Sequence, residues 1–157
     1  MRVRRQRLVA LARDIASMNA ALKDNLRQLR ALVATMCPAL LEQPGVGPVT
    51  AAVALTAWSH RDRLRSEAAY AALAGVNPIP ASSGRTVRHR LNRGGDRALN
   101  TALHTIVLTR RRIHRPTRDY VARRRAQGRT HREIDRCLKR YVARQLFRIM
   151  QAAANPT

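Results

Sequence analysis

Residues 39–58 read ALLEQPGVGPVTAAVALTAW. A short apolar run meets the breakers Pro44, Gly45, Gly47 and Pro48, and a second run rich in small residues follows. This pattern predicts a short helix, a tight turn from Pro44 to Pro48 and a second helix, which together make a helix-hairpin-helix. Gly45 and Gly47 admit backbone conformations closed to other residues, and Pro48 suits the first turn of the helix it opens. Amides exposed at such a helix start can hold a phosphate without reading any base, which makes Gly45, Val46 and Gly47 candidate DNA contacts. A purely structural turn between two core helices would look alike.

Upstream, Leu8, Ile15, Leu22, Leu29 and Met36 form one seven-residue series, interleaved with Leu11, Met18, Asn25 and Leu32. A 3.5-residue repeat keeps one stripe facing a partner helix, so residues 3–36 read as one long helix whose 8–36 stretch is a coiled-coil seam. Asn25 is its single polar intrusion and would fix register or strand number. An amphipathic helix lying on its own domain is the alternative reading. Pro38 ends the helix, because it lacks an amide hydrogen and restricts the residue before it. The expected organisation is a coiled-coil helix over 1–37 and a helical domain over 38–157.

Downstream, Ser66 caps a helix with Ala69, Tyr70 and Leu73 on its apolar face, and Gly75 stops it. Residues 76–95 carry too many breakers for a helix and read as a loop with a short strand. Asp96 caps a helix to about Ile113, with Leu99, Leu103, Ile106, Val107 and Ile113 as a buried stripe. Pro116 opens a short helix that Gly128 ends. Thr130 and Glu133 form a capping box for a last helix, with Ile134, Leu138, Tyr141, Val142 and Ile149 inward. The fold class is mostly α.

Lys and Arg total 31 against nine acidic residues, a formal charge of +22 in 157 residues. Such an excess asks for a polyanion, and nucleic acid is the partner it points to. A GC-rich genome would explain Arg over Lys but not the shortage of acids. The two cysteines, Cys37 and Cys137, have no CxxC pairing or histidine at zinc spacing, so neither a disulfide framework nor structural zinc is indicated. His60, His89, His104, His114 and His131 lack metal spacing too, and His104, on an apolar helix, reads as a core residue. No apolar run is long enough for a signal peptide or membrane span, which suggests a soluble, cytoplasmic, nucleoid-associated protein.

The loop holds the chemistry-bearing residues. Ser82 and Ser83 lie beside Gly84 and among Arg85, Arg88, Arg90 and Arg93. A hydroxyl next to a flexible glycine is a plausible phosphoryl acceptor, and neighbouring arginines could hold the phosphate and stabilise its added charge. Ser-Ser-Gly is also common in plain loops.

Taken in order, Pro44 to Pro48 with Thr50-Ala51-Ala52, Leu73 to Pro78, Ser82-Ser83-Gly84, Arg88 to Leu91, Gly94-Gly95-Asp96, Leu99-Asn100 and Ala102-Leu103-His104 resemble the carboxy-terminal half of the insertion-sequence one-ten, one-sixteen and nine-oh-two transposases. The segments Gly128-Arg129-Thr130 and Cys137 to Arg140 are similar to the tail of the one-sixteen-like branch. The resemblance implies a recombinase with an amino-terminal RuvC-like domain of four metal-binding acids, a coiled coil, and a carboxy-terminal domain supplying a serine nucleophile. It also implies an RNA that guides the enzyme to DNA. Carried to this chain, the nucleophile falls on Ser83, with Ser82 in reserve. The acidic domain has no counterpart in this sequence. The nine carboxylates are scattered, so no metal site or cofactor is expected here, and the resemblance assigns a divalent ion, magnesium, to the missing domain. Two functions follow: a recombinase part completed by that domain, or a catalytically inactive remnant that binds nucleic acid and forms homo-oligomers through residues 8–36.

Overall fold

The computed structural model describes residues 2–80, 89–90 and 92–154. Its helices are α1 (Arg2–Met36), α2 (Pro48–Trp58), α3 (Glu67–Leu73), α4 (Arg97–Ile113), α5 (Arg115–Ala126) and α6 (His131–Ala153). The strands β1 (Ile79–Pro80) and β2 (His89–Arg90) pair antiparallel, Ile79 opposite Arg90 and Pro80 opposite His89. The mostly α reading holds, as does the long first helix. Among the described residues no helix is long and apolar enough to cross a membrane.

The caps explain where the helices begin. Ser66 Oγ accepts the Ala69 amide at 3.1 Å, and Asp96 Oδ1 accepts the Leu99 amide at 2.8 Å. At α6 the Thr130 amide donates to Glu133 Oε2 at 2.9 Å, while Thr130 Oγ1 accepts the Glu133 amide. Each cap satisfies a donor that the first helical turn would leave without a partner. Gly75 and Gly128 follow helix ends at φ +67° and +75°, in the left-handed region that favours glycine.

Helix α1 carries two stripes. Leu26 and Leu29 are half-buried and Val33 is buried, as is Cys37 just past the helix end, so this stripe enters the core against α2. Of the expected heptad seam Leu29 thus turns toward the core, while Leu8, Leu11, Ile15, Met18, Leu22, Leu32 and Met36 are all exposed, Met18 by 68%. The first arm before the hairpin is a single 3-10 turn, Pro38–Leu40, so of the expected helix-hairpin-helix only the second arm forms an α-helix.

Tyr70 sits at the centre of the core, its hydroxyl donating to the Ala54 carbonyl at 3.1 Å and its ring 5.8 Å from that of Phe147. Burial raises its pKa. Around it pack Leu40, Leu99, Leu103, Ile106, Leu146 and Met150, all fully buried. At the rim Glu67 bridges α3 to Arg144 and Arg148 of α6, and the hydrogen bonds from Arg144 hold its carboxyl below the ordinary range. Three residues expected in the core are exposed. Ile113 is the last residue of α4, where the chain turns into α5. Tyr141 packs edge-on against Tyr120 of α5, 6.0 Å away, instead of facing inward, and His104 lies on the solvent side of α4.

The closest backbone approach joins the end of α3 to the start of α4. A Cβ on Gly95 would collide with the amide and Cα of Gly75. The Asp96 amide donates to the Leu73 carbonyl at 2.7 Å, and Asn100 Nδ2 donates to the Ala74 carbonyl at 2.7 Å. Gly95→Ala is expected to lower stability by about 3 kcal/mol or more, since backbone on both sides must move. Gly94→Ala, with no atom nearer than 3.6 Å to its new methyl, should change it by less than about 0.5 kcal/mol. Urea unfolding of the two variants beside the parent chain checks this.

Candidate nucleic-acid interface

The loop stem is built by side chains that answer main-chain groups. Asn92 Nδ2 donates to Asn77 Oδ1 at 2.8 Å and to the Ala72 carbonyl at 3.3 Å, and its Oδ1 accepts the Gly94 amide at 3.0 Å. Together with the β1–β2 pairing this fixes both ends of the segment 81–88. Ser82, Ser83, Arg85 and Arg88 lie outside the described residues. Arg90 and Arg93 are placed, and both are exposed.

Beside this stem opens a cleft of about 530 Å³. Arg90 of β2, Arg124 of α5, Arg129, and Arg136, Lys139 and Arg140 of α6 line it, with Gly75, Val76, Asn77 and Pro78 on the stem side. Its single carboxylate, Glu133, is engaged by the Thr130 amide and hydroxyl and lies 3.5 Å from Arg129. Those Thr130 hydrogen bonds hold the Glu133 carboxyl below its usual range. The neighbouring Asp135 is paired with Arg111, its Oδ1 2.9 Å from Nη1. Lys139 is half-buried and donates to Asn100 Oδ1 at 2.9 Å, and burial lowers its pKa. The result is a concave site with a large local excess of positive charge. Cys137 also lines it, half-buried beside the Tyr120 hydroxyl.

The hairpin forms a second feature. Gly45 has φ +77°, and a Cβ there would lie 3.0 Å from the Ile106 carbonyl oxygen. Arg110 of α4, 7% exposed, donates from Nε to the Pro44 carbonyl at 2.7 Å and from Nη1 to Gln145 Oε1 at 2.8 Å. Gln145 in turn donates to Gln43 Oε1 at 2.7 Å. Among the described residues no carboxylate pairs with Arg110, Nη2 has no partner, and burial lowers its pKa.

The three hairpin residues expected to touch DNA have their groups largely engaged. Val46 is buried and its amide donates to the Gln43 carbonyl at 3.1 Å, while the Gly47 amide donates to Thr50 Oγ1 at 3.0 Å. The helix start instead leaves the amides of Val49 and Thr50 without intrahelical acceptors, since Pro48 has none. The hairpin packs at Ile106 to Arg110 and Lys139 bonds to Asn100. Ten residues of α4 at 1.5 Å each put roughly 15 Å between the two features.

The cleft cations from α5 and α6 were not legible as site residues from composition. For α6 the spacing was a usable signal, because Arg136 is followed by Lys139 and Arg140 at three- and four-residue steps, which puts them on one face. Among the described residues no three His, Cys, Asp or Glu side chains come together to hold a metal ion.

The sequence profile of the family described as transposase IS116/IS110/IS902 matches residues 37–122. The chain is 30% identical over 145 residues to the insertion element IS110 uncharacterized 43.6 kDa protein of Streptomyces coelicolor. That match covers 88% of this chain and 36% of the relative, so the chain spans about a third of its length.

Arg110→Ala is expected to destabilise the protein by about 3 kcal/mol, because it leaves buried partners unsatisfied and opens a cavity. Arg110→Met should cost less, since it keeps most of the volume and removes a buried cation that has no counter-ion. Chemical denaturation of both variants decides it, and equal losses would locate the effect in the hydrogen bonds alone.

Proposed function

This chain belongs to the IS116/IS110/IS902 transposase family, and on that premise we propose that it is the DNA-handling, serine-bearing part of a recombinase. The observation that carries the reading is the placement of the loop stem. The segment holding Ser82 and Ser83 leaves and re-enters the fold at the lip of a cleft lined by six cations and one engaged carboxylate. In the proposed reaction Ser83 Oγ attacks a DNA phosphodiester. The Oγ–P bond forms as one P–O ester bond breaks, and the departing strand oxygen takes up a proton in place of the one the serine gives up. Arg85, Arg88, Arg90 and Arg93 would hold the phosphate. The metal-binding carboxylates of such chemistry come, on this reading, from another domain or chain.

DNA contact would combine the cleft with the start of α2, where the amides of Val49 and Thr50, left without intrahelical acceptors, would meet a backbone phosphate. A structured guide RNA is a second polyanion that the same cations suit. The second reading, a module that binds and dimerises without catalysis, draws on the scattered carboxylates.

Binding of the whole chain to duplex DNA should weaken by roughly a thousandfold or more between about 50 and 200 mM salt, as release of several counter-ions requires. With the acidic domain added, the parent chain should form a covalent DNA adduct. Ser83→Ala should lose it while keeping DNA affinity, and an adduct persisting in that variant moves the nucleophile to Ser82. Absent or salt-independent binding overturns the reading.

The open seam of α1 supports self-association. Five seam side chains, Leu8, Leu11, Ile15, Met18 and Leu22, face solvent, while the neighbouring stripe near the end of α1 already packs on the domain. Sedimentation should show an oligomer for the parent chain and a monomer for Ile15→Asp/Leu22→Asp, and a monomeric parent removes this part of the proposal.

A further inference from the structure

Building on the reading of this chain as DNA-handling, we infer that the cleft beside the β1–β2 stem takes one unpaired DNA strand and grips it by its phosphodiesters. The charge demands an anion. Six cations converge there, and the one carboxylate is tied to Thr130 and Arg129. Cations on an open convex surface are neutralised by bulk salt, whereas those facing one another across a concavity repel until an anion enters between them.

The volume then selects the form of the anion. At about 530 Å³ the cleft is the size of a small-ligand site, enough for one or two nucleotides of a strand. A duplex displays its phosphates on a convex surface, which would meet this concavity at its rim alone. The lining selects the mode of grip. Among the described residues no aromatic side chain lines the cleft, so what they offer a strand is backbone contact and not base stacking. Pro78, exposed on the stem side with Val76 buried behind it, offers an apolar face suited to a sugar.

Lys139 gives the site a fixed anchor. Its ammonium is held by Asn100 Oδ1, and Asn100 is itself tied to the Ala74 carbonyl, one residue before the Gly75 turn. Anchor and stem therefore share one rigid junction, so a strand seated on Lys139 runs alongside the root of the serine-bearing segment.

The test uses the full chain and labelled oligonucleotides of roughly a dozen nucleotides, as single-stranded DNA, as duplex and as single-stranded RNA. Fluorescence anisotropy is read across a salt series. Arg90→Gln/Arg140→Gln alters the cleft rim, Lys139→Gln its anchor, and Arg7→Gln/Arg13→Gln on exposed α1 is the charge-matched control. Circular dichroism establishes that each variant folds. The rim variant should lose about tenfold or more in affinity for single-stranded DNA, with its salt slope reduced by about 0.7 per cation removed. Lys139→Gln should lose single-strand affinity as well, while the control stays within about threefold and duplex binding changes little.

Equal losses in rim and control variants overturn the inference, as do equal losses for duplex and single strand or tighter binding of RNA than of DNA. If the parent chain still binds duplex DNA in a salt-dependent way, those results leave the wider reading standing. If it binds DNA in neither form, both fall.

Discussion

Backbone meets backbone at Gly75 and Gly95, and the functional half of the molecule is arranged around that meeting. The approach leaves no room for a Cβ at Gly95, and it clamps the end of α3 to the start of α4. Everything nearby is then fixed by short-range hydrogen bonding. Asp96 caps α4 and returns its amide to Leu73, Asn100 reaches Ala74, and Asn92 reaches Asn77 and Ala72. The segments Leu73 to Pro78, Gly94 to Asp96 and Leu99-Asn100 form the mounting of a loop. Their side chains hold main chain in place so that the loop departs at one defined point.

The hairpin is mounted by a different device. Arg110 occupies the place in the apolar stripe of α4 where another leucine or isoleucine would be expected, between Ile106 and Ile113. It gives its charge to no carboxylate and its hydrogen bonds to the Pro44 carbonyl and to Gln145. Turning that carbonyl inward joins the turn to both α4 and α6. A buried charge of this kind is a costly way to hold a turn, and it adds positive potential behind the hairpin.

On the proposed reading cleft and hairpin would meet different shapes of anion. The start of α2, with the Val49 and Thr50 amides left without intrahelical acceptors, would suit a phosphate on an outer surface. The cleft is concave, and its cations come from β2, α5 and α6 together. Helix α4 joins them, packed against Gly45 near one end and bonded to Lys139 through Asn100 near the other. The spacing between the two is therefore set by a rigid rod.

Much of this was written locally in the sequence. The caps at Ser66, Asp96 and Thr130, the stops at Gly75 and Gly128 and the long first helix depend on neighbours within a turn, so their residues announce them. So did the seam of α1, because a heptad repeat is a local pattern. The sequence by itself determined a basic, mostly helical chain with a serine-bearing segment between the Gly75 stop and the Asp96 cap. Only the tertiary structure decided that Leu26, Leu29 and Val33 serve the core while the rest of the seam stays open. Tertiary packing likewise turned Ile113 and Tyr141 outward, used up the amides of Val46 and Gly47, and brought Arg90 together with Arg136, Lys139 and Arg140. Those outcomes depend on residues tens of positions apart meeting at one surface, and periodicity within a helix carries no information about which neighbour its faces will find.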